Sequence, residues 1–163
     1  MEENFSKWMK WENRNSMENI NYPGIYCIAI TDEPLENKSF SWIPEIKYIG
    51  MTNSKNGLKG RLKQFDNTIN GKSGHGGADR FLYNHQDYKK LIPQLFVSVR
   101  FFKCDVSEIT ADNLHIMGDV AKCEYECFAK FVELYGKLPS YNDKPNSPKY
   151  SLTIARGKSS AIN

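Results

Sequence analysis

The run GIYCIAI, residues 24–30, narrows the folds open to this chain more than any other stretch of its 163 residues. Its β-branched and aromatic side chains, opened by Pro23 and closed by the turn-forming TDEP, predict a strand. Alternation places Tyr26, Ile28 and Ile30 on one face of it. A second strand is predicted for IKYIG, residues 46–50. Between them, Thr31 to Glu45 carries Pro34 and Pro44 without a clear period and reads as a long hairpin connection. After Asn56, a suitable N-cap, the residues Leu58, Leu62, Phe65 and Ile69 recur at helical spacing and predict a helix over 58–69.

The rest of the chain supplies further elements for the same core. QLFVSVRFFKC (94–104) alternates well enough for a third strand, Gly118 to Tyr135 reads as a second strong helix, and YSLTIARG (150–157) as a final edge strand. Phe5, Trp8, Met9 and Trp11 predict a short N-terminal helix that packs on the core. NGKSGHGGAD is expected to be a mobile loop and RFLYNHQDYKKL a short polar helix. One domain over 1–163, with its core at about residues 22–142, fits this length. The net charge of +3 permits a polyanionic partner without requiring one. Cys27, Cys104, Cys123 and Cys127 contain no C-x-x-C pair and are expected to be reduced, buried thiols. The polar, acidic start MEENFSKWMKWENRNSM lacks the basic-then-apolar order of a secretory signal, and no apolar run reaches spanning length. The expectation is a cytoplasmic protein without a membrane partner.

Two charged residues sit where solvation alone does not explain them. On an ideal wheel from Val120, the residues Cys127, Phe131 and Leu134 fall within about 40°, and Glu124 lands in the same arc, whereas Glu126 and Glu133 fall on the far side. A carboxylate in an apolar stripe needs a cation, a proton or an ion-pair partner, so Glu124 is either one half of a structural pair with an arginine or a metal ligand. Arg61 lies about 60° from the Leu58 arc, where it can snorkel along the core or enter a cleft beside it. Lys59 and Lys63 project elsewhere.

Taken in order, GIY at 24–26, YIG at 48–50, the arginine of GLKGR, a glutamate inside a later helix and LPSYN at 138–142 resemble the GIY-YIG nuclease superfamily. The resemblance covers about residues 22–142. It implies an α+β fold, a small three-stranded antiparallel sheet flanked by helices, here extended by the N-terminal helix and the C-terminal edge strand. It implies a DNA endonuclease that hydrolyses phosphodiester bonds with one divalent cation, magnesium or manganese. Tyr26 and Tyr48 correspond to the two motif tyrosines, Arg61 to the helical arginine, Glu124 to the metal ligand and Asn142 to the trailing asparagine. The hairpin connection and the span from Glu124 to Asn142 are both longer than the family's. Where many members carry histidine or tyrosine one turn after the arginine, this chain has Phe65, and His75 from the glycine-rich loop is either its substitute or a solvated loop histidine.

On this resemblance Tyr26 orients or deprotonates the attacking water, Arg61 stabilises charge on the phosphate, Tyr48 gives a supporting hydrogen bond and Glu124 holds the metal. Lys55, Lys59, Lys63, Lys72 and Arg80 are expected to surround this patch and hold the backbone of double-stranded DNA without reading bases. A stand-alone chain of this kind resembles restriction-type members, and cutting both strands at a symmetric site favours a homodimer. The competing readings are an inactive nucleic-acid-binding module of the same fold and a structural or protein-interaction domain whose tyrosines only pack.

Overall fold

A computed structural model describes residues 2–72 and 74–150. Its centre is an antiparallel sheet of four strands, β1 (Met9–Lys10), β2 (Gly24–Ile30), β3 (Ile46–Thr52) and β4 (Leu95–Phe101), in the spatial order β1-β4-β2-β3. Helices α1 (Gly57–Ile69), α2 (Ala78–Asn84) and α3 (Tyr88–Leu91) cover one face, and α4 (Ala111–Tyr135) covers the other. The chain is thus α+β, and the expected three-stranded sheet, β2, β3 and β4, is joined by the short N-terminal strand β1. Among the described residues no helix is long and apolar enough to cross a membrane.

The alternation in β2 is what divides the core. Tyr26 and Ile28 join Leu58, Leu62, Phe65 and Ile69 of α1, while Ile25, Cys27 and Ala29 join Val120, Cys123, Cys127 and Phe131 of α4. β3 keeps this division through a bulge. Ile28 pairs with Tyr48 but Ala29 pairs with Ile46, which skips Lys47. A regular ladder would set Lys47 opposite Ala29 and turn its ammonium into the α4 side of the core; the extra residue gives that place to Ile46.

The N-terminal segment is not the predicted helix. Phe5 and Trp8 pack on the α4 side and Trp11 on the α1 side, so these aromatics do not share a helical face. Backbone bonds decide the matter. Trp8 donates its N–H to Lys38 O at 2.9 Å and accepts from Asn37 N–H at 2.8 Å, so the long hairpin connection holds the segment extended, and β1 then pairs with β4. The polar helix predicted over RFLYNHQDYKKL is two helices, α2 and α3, with Ala78, Arg80, Phe81, Leu82 and Leu91 buried. α4 starts seven residues before the expected Gly118, where Thr110 Oγ1 caps it by accepting from Asn113 N–H at 3.2 Å. Leu134, expected in its buried arc, is exposed. All four cysteines are free; Cys27, Cys123 and Cys127 are buried as expected, and Cys104 is half-buried. Of the predicted C-terminal strand, residues 151–157 lie outside the described residues.

After α4 the chain returns along the free edge of β3. Tyr141 N–H bonds Lys47 O at 2.8 Å, Asn142 pairs with Ile49, and Tyr150 N–H reaches Asp79 O at 3.0 Å. An edge strand covered in this way offers little backbone to a foreign strand.

Candidate active site

Tyr26 and Tyr48 come from neighbouring strands, with ring centroids 5.9 Å apart. Tyr26 pairs with Gly50 across the ladder, and a Cβ on Gly50 would stand 2.5 Å from the Tyr26 hydroxyl and 2.7 Å from Cε1 of Tyr48. The glycine of YIG is therefore the space in which the two phenols sit. Gly77 does the same from the other side, since a Cβ there would lie 2.5 Å from the Tyr48 ring. Tyr26 is 0% exposed, while Tyr48 is only partly buried. Tyr48 is the tyrosine that faces the opening, and Tyr26 lies beneath it.

His75 is not a residue of a mobile, solvated loop. It is 1% exposed, and its backbone N–H bonds Thr68 Oγ1 on α1 at 3.0 Å. Its Nδ1 accepts from the N–H groups of Gly77 (3.1 Å) and Ala78 (3.2 Å), so the proton of the neutral ring sits on Nε2. Nε2 lies 2.8 Å from the Tyr26 hydroxyl and donates to it. Burial, with the nearby Arg61 charge, lowers the His75 pKa to about 3, so the ring is neutral at any working pH. It cannot shuttle protons. It is a fixed donor that holds Tyr26, and its ring stands 5.0 Å from that of Phe65, the position where the family pattern has its own polar residue.

Arg61 reaches this group from α1. Its charge works against the effect of burial on Tyr26, Tyr48 and Glu124 alike, which places the guanidinium among all three. Burial raises both tyrosines above their ordinary value, Tyr26 strongly, and in Tyr48 the neighbouring Tyr26 hydroxyl, then Arg61, offsets part of it. Arg61 spends one terminal nitrogen on Gln64 Oε1 at 3.2 Å, and its buried Nε has no partner among the described residues. A buried N–H left in this state is expensive unless an acceptor arrives.

Glu124 approaches from α4, on the opposite side of the sheet. It is half-buried, and desolvation raises its pKa, offset in part by Arg61, the Met51 N–H and Lys144. Among the described residues no lysine or arginine nitrogen lies within 4.0 Å of its carboxylate, unlike Glu126 and Glu133, which pair with Lys122 and Lys130. Among the described residues no arginine forms the structural ion pair considered for Glu124. Met51 lies next to the Gly50 that houses the tyrosines, so the two faces meet at this end of β3.

The other expected residues are placed differently. Asn142 uses both ends of its amide on Ile49, Oδ1 accepting from N–H and Nδ2 donating to O, each at 2.8 Å. It ties down β3 between Tyr48 and Gly50, which is a positioning role for this side chain. Arg80 is 6% exposed, with Nε on Ser147 O at 3.1 Å and a terminal nitrogen on Gly76 O at 2.7 Å; it is a buried tie that also favours ionised Tyr48, not a surface contact. Lys55, Lys59 and Lys63 line one open concavity of about 540 Å³ with Asn21, Asn56 and Gly60. Two residues along a helix is about 200° of rotation, so this row lies on another side of α1 from Arg61 and does not ring the tyrosines. Lys72 is exposed in the turn after α1.

Thr68 and the Gly77 and Ala78 N–H groups could not be found from the sequence, because their part is to fix His75 through a loop closure that has no periodicity. Among the described residues no group of three or more His, Cys, Asp or Glu side chains could hold a metal. A carboxylate that feels Arg61 and Lys144 but makes no ion pair within 4.0 Å among the described residues suits a hard ion that takes its remaining ligands from water and a phosphate. The chain matches no protein-family model, no curated protein and no solved structure, so its likeness to a known family rests on the motif residues and their arrangement.

Proposed function

We propose that this chain is a metal-dependent endonuclease of the GIY-YIG type that hydrolyses phosphodiester bonds in double-stranded DNA. The observation that carries the reading is that Tyr26, Tyr48 and His75 on one side of the sheet and Glu124 from the other all lie within reach of the Arg61 charge, with His75 bonded to Tyr26. A packing-only role for the tyrosines leaves the unpaired Glu124 and the orphaned Arg61 Nε without a reason.

Magnesium or manganese bound at Glu124 would supply neutralising charge at the scissile phosphate. Arg61 then takes a non-bridging oxygen with its free Nε edge, a bond that strengthens as charge builds up there. The roles of the tyrosines follow their burial. Tyr48, the more accessible phenol, would act in its ionised form: it gives its own proton to solvent as the substrate phosphate and metal bind, then takes a proton from the attacking water, while Tyr26, held by the Nε2–H of His75, orients the Tyr48 oxygen. This reverses the assignment expected from the motif order. Burial holds the Tyr48 proton above its ordinary value of 10.0, so the cationic surroundings must lower it when substrate is bound.

Incubating supercoiled plasmid with the protein in magnesium, and in parallel with excess chelator, tests the reading. Nicked or linear product is expected only with the metal, and Tyr48→Phe should lose it. Equal cleavage in chelator, or no cleavage by the wild type with either metal, would overturn it.

A further inference from the structure

We infer that the outer face of α4 is a homodimer interface, on which the helix packs antiparallel against α4 of a second copy of the chain. Seven large apolar side chains are left exposed among the described residues, and six of them, Ile109, Leu114, Tyr125, Val132, Leu134 and Leu138, belong to α4 or its immediate ends. Three of the six, Leu114, Tyr125 and Val132, share one face of the helix, and an exposed apolar row of this kind marks a surface that meets a partner.

The helix has three faces. Val120, Cys123, Cys127 and Phe131 meet the sheet, and Lys122, Glu126, Lys130 and Glu133 form a charged side. Leu114, Gly118, Ala121, Tyr125, Phe128 and Val132 form the third, at alternating intervals of four and three residues. That interval is the period of a seam between two helices. Tyr125 is 73% exposed and Leu114 53%, while Phe128, half-buried, stands edge-on to Tyr125 with centroids 6.2 Å apart. At Gly118 a Cβ would meet nothing within 4 Å, which leaves a notch in the stripe.

The shape of the stripe favours a second copy. Turned end for end about position 123, it sets Gly118 opposite Phe128, Ala121 opposite Tyr125 and Leu114 opposite Val132. Each aromatic ring then meets a small residue, and the contact is self-complementary, as a twofold interface requires. Charge points the same way. The charged side carries two lysines, bridged to Glu126 at 3.6 Å (Lys122) and to Glu133 at 3.3 Å (Lys130), together with the exposed Asp112 and Asp119, and so has no attraction for nucleic acid, in contrast to the lysine row beside α1. From Leu114 to Val132 the stripe runs roughly 27 Å. A single helix pair of that length is at the low end of specific interfaces, which sets the dimer in the micromolar range.

Sedimentation velocity of the full chain over about 1–100 μM tests this without reference to nuclease activity. The wild type should move from monomer to dimer across the range. Tyr125→Glu and Leu114→Glu should each stay monomeric at every concentration with an unchanged melting temperature, and Phe101→Glu, at an exposed apolar residue away from α4, should dimerise normally. A wild type that stays monomeric throughout, as it would if the stripe were covered by residues of its own chain, overturns the proposal. So does a Tyr125→Glu variant that keeps its fold and dimerises like the wild type.

Discussion

His75 shows how burial fixes the chemistry of one residue. Its pKa falls from 6.5 in the unfolded chain to about 3 in the fold. The unfolded state therefore binds one more proton between those values, so this group's contribution to stability is complete above pH 6.5 and is lost as pH falls toward 3. The slope for one group is at most about 1.4 kcal/mol per pH unit. Melting curves across this range should show the wild type losing stability more steeply than His75→Gln; parallel losses would mean that the ring is protonated in the fold. At this scale the sequence was informative where a residue broke a local rule. Glu124 was visible as a carboxylate in an apolar arc and Arg61 as a guanidinium at the edge of another. His75 and Arg80 were not legible in the same way. The first lies in a glycine-rich run and the second on a short helix, and each is buried only because distant groups, Thr68 Oγ1 and Ser147 O, close over it.

At the scale of elements, α1 presents different chemistry on different sides. Its apolar stripe lies on the sheet, Arg61 turns to the tyrosines, and Lys59 and Lys63 line an open concavity with Lys55. The first turn is closed by backbone, with Leu58 N–H on Tyr22 O at 3.0 Å and Lys59 N–H on Ile20 O at 2.6 Å, so these lysines rather than free helix amides are what a phosphate backbone would meet. Binding to a DNA duplex should weaken as salt rises, and replacing both Lys59 and Lys63 with alanine should reduce the slope of log K against log salt by about two units. An unchanged slope would place the DNA on another surface. β2, β3, α1 and the later part of α4 were legible because their apolar periods are strong. The N-terminal segment was misread because three aromatics and a methionine within seven residues imitate a helical stripe, while backbone bonds to Asn37 and Lys38, remote in sequence, hold it extended. The first turns of α4 were missed because no buried residue precedes Val120 in it.

On the scale of the whole molecule, the candidate site exists only because both faces of the sheet contribute to it. β2 and β3 bring the phenols, α1 the guanidinium and the loop after it His75, all on one face, and α4 brings Glu124 from the opposite face to the Met51 N–H on β3. Removing the charge at Glu124 therefore separates chemistry from architecture. Glu124→Gln keeps the size of the side chain, breaks no ion pair within 4.0 Å among the described residues, and relieves a carboxylate that burial already disfavours. The most direct measurement is the magnesium-dependent rate of plasmid cleavage by Glu124→Gln, compared with Glu126→Gln and the wild type at matched melting temperature. A site of this kind should lose at least about a hundredfold in Glu124→Gln and almost nothing in Glu126→Gln. A folded Glu124→Gln protein that cleaves within a few-fold of the wild-type rate would contradict it.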